Sequence, residues 1–194
     1  MRDCSSSIRG EPFPHSTCSG LLPPELCESL LEWFETDAPW KLRIASFYEQ
    51  WEIHLEEHMV PDTVRPLLSG VTISMLAEEM LTPLSGKAVR VTEVTAHKLI
   101  PGQTIRIHND YVEGEETHRL LLQLNRGWQD EHGGLLMLFN GPRPEDVSRV
   151  VRPLHGSLFG FQICANSFHA VSTISAGERY TLVYSFRDAP ELAN

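Results

Sequence analysis

The chain has 194 residues, 41% of them apolar and 22% charged, and carries a formal charge of −10 from 16 basic and 26 acidic side chains. That length suits one domain able to bury a core, and the composition excludes wholesale disorder. The acidic balance argues against generic binding to nucleic acid or anionic membranes. No apolar run approaches the ~20 residues of a membrane span, and residues 1–14 hold no apolar leader, so a soluble cytoplasmic protein is expected.

Residues 1–20 are rich in Ser, Pro and Gly and are expected to form a flexible N-terminal arm. Cys4, Cys18, Cys27 and Cys164 show no CxxC spacing, which points to reduced thiols rather than a zinc knuckle or redox motif. Pro23-Pro24 opens a helix in which Leu26, Leu30, Trp33 and Phe34 recur at helical spacing, until Asp37-Ala38-Pro39 stops it. Residues 41–48 read as a short strand. Residues 49–60 and 62–81 read as two further helices, separated by Pro61 and closed by Thr82-Pro83 and Gly86. Residues 21–87 are therefore expected to be a helical support region packed on the C-terminal half of the chain.

From about residue 88 the apolar pattern becomes short, β-branched and punctuated by turn residues. Strands are predicted at 88–99, 103–107, 118–125, 134–139, 157–162, 168–174 and 179–186, with breaks at Pro101-Gly102, Gly133-Gly134, Gly141-Pro142 and Gly177. The expected fold class is mainly β with N-terminal helices (α+β), the β part being a sandwich or jelly roll over 88–187 and residues 188–194 a tail.

Two groups of residues suggest a metal. His54-Leu-Glu-Glu-His58 fits H-x-x-E-H; on a helix the two histidines share a face and could bind zinc, with Glu57 as the base of a peptidase. A solvated, glutamate-rich helix face explains the same residues more simply. The second group is His108-Asn-Asp110 with His169. In a strand, residues i and i+2 project from one face, so His108 and Asp110 could grip one ion, and a histidine from a partner strand would complete three ligands. Two His and one carboxylate with open positions is the arrangement of non-haem Fe(II) oxygenases.

The surrounding blocks are His118-Arg-Leu-Leu-Leu-Gln-Leu-Asn125, Gly133-Gly134-Leu-Leu-Met-Leu-Phe139, Phe168-His-Ala-Val171 and Gly177-Glu-Arg-Tyr-Thr-Leu-Val-Tyr-Ser-Phe186. In order and spacing, residues 88–187 resemble the catalytic domain of Fe(II)/2-oxoglutarate-dependent dioxygenases, on the prolyl-4-hydroxylase-like branch. The resemblance implies a double-stranded β-helix (jelly-roll) core, with Fe(II) and 2-oxoglutarate as cofactor and co-substrate and O2 as oxidant. It makes His108, Asp110 and His169 the iron ligands, and Arg179 the partner of the far carboxylate of 2-oxoglutarate. Gln123 or Thr181 would be a second contact to that carboxylate. The implied reaction is hydroxylation of an unactivated C–H bond of an amino acid, peptide or small metabolite, with release of succinate and CO2.

Prolyl 4-hydroxylases usually carry tyrosines where this chain has Leu99, Ile105 and Gln123, so proline is not implied as the substrate. The loop after Asp110 holds Glu113, Glu115 and Glu116, which could face a cationic substrate or simply be solvated, and Arg119 or Arg106 could equally place a substrate carboxylate. Two alternatives remain: a catalytically silent jelly-roll metal- or ligand-binding module, and the helix-borne zinc peptidase. The expected partner is a small-molecule, amino-acid or peptide substrate, with neither nucleic acid nor a membrane.

Overall fold

The computed structural model describes residues 6–190, and its elements follow the chain as short strands around three helices. In order these are β1 (Ser7–Arg9), β2 (His15–Ser19), α1 (Pro24–Thr36), β3 (Lys41–Ile44), β4 (Glu49–His54), α2 (Gly70–Met80) and α3 (Thr82–Ser85). The β-rich remainder comprises β5 (Val89–Leu99), β6 (Ile105–His108), β7 (His118–Gln123), β8 (Leu136–Phe139), β9 (Val147–Val151), β10 (Ser157–Gln162), β11 (His169–Val171) and β12 (Arg179–Asp188). Eight strands form one sheet in the order β1-β2-β10-β7-β12-β5-β4-β3, and four form a second in the order β6-β11-β8-β9. Every pairing is antiparallel.

The period-2 alternation of the central strands divides the core in two. Leu120, Leu122 and Leu124, with Tyr180, Leu182, Tyr184 and Phe186, face outward into a cluster shared with the helices. Their neighbours Leu121 and Val183 face inward, with Leu99, Leu136, Leu138, Phe159 and Phe161 between the sheets. The helices cover the outer face. Pro24 sits in the first turn of α1, where its missing N–H costs nothing, and Cys27, Leu30, Leu31 and Phe34 bury the stripe that packs on the sheet. Ser69 caps α2 by accepting the Thr72 N–H, and Gly86 ends α3 in the left-handed region.

Several expectations from the sequence are corrected. Residues 7–9 and 15–19 are not a flexible arm, because β2 pairs along the whole of β10, with Ser157 opposite Ser19 and Phe161 opposite His15. His15 and Ser16 are fully buried, and the Ser16 hydroxyl donates to the Met80 carbonyl at 2.6 Å. Residues 1–5 of the expected arm and 191–194 of the expected tail lie outside the described residues. Cys18 is disulfide-bonded, which corrects the expectation of reduced thiols at that position, whereas Cys27 and Cys164 are free.

Residues 49–60 are not a helix. Residues 49–54 form β4, paired with β3 and β5, and a single 3₁₀ turn follows at Glu57–Met59. The expected helix at 62–81 is a 3₁₀ turn, Arg65–Leu68, followed by α2. The support region thus gives two strands to the large sheet as well as its helices. The strand β9 was not expected at all.

Candidate metal and co-substrate site

β6 and β11 pair so that His108 and His169 stand directly opposite each other, their ring centroids 4.2 Å apart. Asp110 follows β6 two residues beyond His108. Its carboxylate oxygens lie 3.6 Å from His108 Nε2 and 3.3 Å from His169 Nε2, and one donor atom from each residue lies within 4.8 Å of the others. Each imidazole is oriented by its own strand: Nδ1 of His108 is 2.9 Å from the Arg106 carbonyl, and Nδ1 of His169 is 2.9 Å from the Ser167 carbonyl. A carbonyl oxygen only accepts, so Nδ1 carries the proton in both rings and both Nε2 atoms present lone pairs to the same point. Phe47 stacks on His108 at 4.4 Å, and Phe161 meets the His169 ring edge-on at 5.0 Å.

The electrostatics keep these groups in ligand form. Burial, together with the neighbouring His169, pushes His108 down to about 4, so it is neutral at physiological pH. Burial alone would raise the Asp110 carboxyl. The Arg119 guanidinium overrides it, donating from Nη1 to Oδ2 at 2.7 Å, and with the two imidazoles holds the carboxyl well below the usual carboxylate range. Arg119 is fixed in turn by Glu116, whose Oε2 accepts from Nη2 at 2.7 Å. Arg119 is therefore committed to a ligand carboxylate rather than free for a substrate.

His108, Asp110 and His169 line a cavity of about 250 Å³ between the two sheets, and Arg179 and Thr181 line it from β12. Arg179 is 3% exposed, and burial pushes its guanidinium down to about 10. Its Nη1 donates to Thr181 Oγ1 at 2.8 Å, and that hydroxyl donates onward to Gln123 Oε1 at 3.0 Å on β7. No carboxylate among the described residues pairs with it, and its buried Nε has no partner. Gly134 makes the position possible, since a Cβ there would come within 2.9 Å of Arg179 Cδ.

The donor set fits the groups implied by the resemblance. Two imidazoles and one carboxylate suit Fe(II), and a buried guanidinium with no carboxylate partner in the same cavity suits the far carboxylate of a dicarboxylic co-substrate. Gln123 and Thr181 form one chain behind Arg179, with Thr181 the nearer to the guanidinium.

Other sequence candidates are placed elsewhere. Glu113 and Glu115 are exposed, and Arg106 is exposed with its Nη2 donating to the Ser46 carbonyl. His54 lies at the end of β4 with Nδ1 2.6 Å from Glu93 Oε1, while His58 pairs with Glu56 at 3.3 Å. The two share no helix face, and the zinc-peptidase reading falls with the helix. Sequence reasoning missed the wall formed by Gln50, Glu52, Glu93, Thr95 and His97. The signal was present as alternation in 49–54 and 93–97, inverted because the polar side faces inward. Burial, with Arg119 and Arg179 nearby, pushes His97 down to about 3, so that ring is neutral.

Residues 94–186 match the family model of the 2OG-Fe(II) oxygenase superfamily. By structure, the chain is similar to a Pseudomonas putida prolyl-4-hydroxylase (TM-score 0.69, 20% identity, covering 91% of this chain and 93% of that one). It is also similar to a Trichoplax adhaerens prolyl hydroxylase solved with a peptide fragment of the hypoxia inducible factor oxygen degradation domain (TM-score 0.70, 14% identity, 90% and 83%). A third similar structure is an oxidoreductase of the 2OG-Fe(II) oxygenase family from Burkholderia pseudomallei (TM-score 0.64, 18% identity, 92% and 88%). No curated protein sequence matches the chain. Its core is the double-stranded β-helix of these oxygenases. The match to the 2OG-Fe(II) oxygenase superfamily thus spans residues 94–186, the segment that holds His108, Asp110, His169 and Arg179, and the chain as a whole shares the fold of these oxygenases.

Proposed function

We propose that the protein hydroxylates an unactivated C–H bond of an amino acid, peptide or small metabolite. One oxygen atom of O2 enters the substrate C–H bond and the other enters succinate, as 2-oxoglutarate loses CO2. The observation that carries this reading is Arg179, a buried guanidinium with an open donor that shares one cavity with three side chains able to hold a metal ion. Bound Fe(II) would supply the redox chemistry that couples decarboxylation to oxygen transfer.

The protein's part is orientation. His108, Asp110 and His169 would hold the metal. Arg119 holds the Asp110 carboxylate in place by donating to Oδ2. Arg179 takes the far carboxylate of 2-oxoglutarate with charge-assisted hydrogen bonds, its plane set by Thr181 and Gln123. Leu121, Val183 and Val171 line the space between and keep bulk water out.

The test is anaerobic titration with Fe(II) and 2-oxoglutarate, followed through the weak visible charge-transfer band of the chelate. The band is expected in the parent protein and absent in an Asp110→Ala/His169→Ala double variant. A normal band in that variant refutes the ligand assignment. Succinate formation under air then separates an enzyme from a silent metal-binding module.

A further inference from the structure

The inner face of the large sheet continues from β12 onto β5 and β4, and there its chemistry changes. Glu52 on β4 is the most enclosed acid of this wall, its side chain 11% exposed. Its Oε2 accepts from Gln50 Nε2 at 3.2 Å, and its Oε1 lies 3.2 Å from Arg43 Nη1. His54 stands between two carboxylates, with Nδ1 2.6 Å from Glu93 and Nε2 3.9 Å from Glu52. Gln50 is 2% exposed and has turned its amide nitrogen to Glu52, so its Oε1 is buried against the cavity with no partner among the described residues. The wall therefore presents two carboxylates and an unpaired amide oxygen: acceptors in excess of donors.

The charge balance agrees. The cavity is lined by three arginines (Arg43, Arg119, Arg179) and four acids (Glu52, Glu93, Asp110, Glu116). Arg119 is committed to Asp110 and Glu116, and Arg179 stands apart, reserved for the co-substrate. Arg43 alone is left for Glu52 and Glu93, and its side chain is 58% exposed on the outermost strand β3. Neutral His97 adds no opposing charge. The pairing places Glu52 opposite His97, and His97 opposite Thr181. With strands ~4.8 Å apart, the acidic wall stands roughly 10 Å from the Arg179–Thr181 row, so it is not cancelled by that guanidinium.

We propose that Gln50, Glu52 and Glu93 bind a substrate ammonium or guanidinium, making the substrate a basic amino acid or a lysine or arginine side chain of a peptide. The inference rests on the oxygenase reading and names the substrate class of that same site. It also moves the cation contact from the loop containing Glu113, which is exposed, to the sheet wall.

The experiment uses the full chain loaded with Mn(II) and 2-oxoglutarate, and calorimetric titration with capped lysine and arginine amides. Their uncharged counterparts, capped norleucine and citrulline amides, and a capped proline amide are the controls. Binding of the cationic amides at least tenfold tighter than of the neutral ones is expected. Glu52→Gln and, as a second and more exposed variant, Glu93→Gln should each weaken the cationic amides by about ten- to a hundredfold relative to the 2-oxoglutarate Kd of the same sample. Equal affinity for neutral and cationic amides, tightest binding of the proline amide, or no binding of any cationic amide to the loaded protein overturns the proposal. Failure of 2-oxoglutarate itself to bind overturns the oxygenase reading, and this one with it.

Discussion

Replacing Arg179 with Met removes the guanidinium and keeps an unbranched stem, and it should move ligand affinity and stability in opposite directions. Without co-substrate the guanidinium is 3% exposed, bonded to one hydroxyl, and has its Nε unpaired. Burial pushes it from 12.5 to about 10; a fall of 2.5 at about 1.36 kcal/mol per pKa unit makes the buried charge cost about 3 kcal/mol. A base with a depressed folded-state pKa destabilises the fold wherever it is protonated. That cost is fully present below pH 10 and is relieved only as pH rises past it. Arg179→Met should therefore be at least as stable as the parent between pH 6 and 9, with Tm unchanged or raised by a few degrees. Affinity should fall, because deleting one side of a buried charge pair costs about 2–5 kcal/mol, roughly a 30- to several-thousand-fold rise in the 2-oxoglutarate Kd. Thermal melts and calorimetry with Mn(II) in place of iron check both. A Tm lowered by more than about 5 °C with a 2-oxoglutarate Kd changed less than about threefold would show a structural arginine and sink the argument.

Arg119→Met leaves Asp110 and Glu116 without the cation that bridges them, so Tm should fall by about 5–15 °C, and Mn(II) should restore much of it by supplying the missing positive charge. Melts with and without metal decide this, and a metal-insensitive loss refutes it. Gly160→Val should cost about 1–3 kcal/mol without changing the 2-oxoglutarate Kd, because a Cβ at 160 meets Leu81 Cδ2 and Ser16 Oγ at 2.9 Å; chemical denaturation measures it. His58→Ala should leave metal retention unchanged, as that side chain is 76% exposed and bonded only to Glu56; loss of a tightly held metal would revive the zinc reading.

The β core was legible because its strands alternate in the ordinary sense. Leu120 and Leu122 mark one face of β7, while Arg119, Leu121 and Gln123 mark the other. The grouping of His108, Asp110 and His169 was legible because His108 and Asp110 lie two apart in one segment and His169 sits in a recognisable block. The β4 strand was hidden by its inversion. Gln50, Glu52 and His54 face a polar cavity and Ile53 faces the helices, so acid-rich residues looked like a solvated helix. β2 was hidden for another reason: its Ser, Thr and His side chains give no apolar signal, and its place is fixed by backbone pairing and by one buried hydroxyl. The Arg119–Asp110 pair joins residues nine apart across a loop whose path no local pattern announces.

β2's pairing sets a limit on how the chain can be shortened. Residues 94–186 match the family model and include His108, Asp110 and His169, which makes a trimmed version beginning after Gly20 look harmless. Such a version would strip β10 of its neighbour along Ser157–Phe161 and present Ser-Leu-Phe-Gly-Phe as an open template for another copy. β2 thus covers a sheet edge that would otherwise invite pairing with another chain, a duty its polar composition conceals.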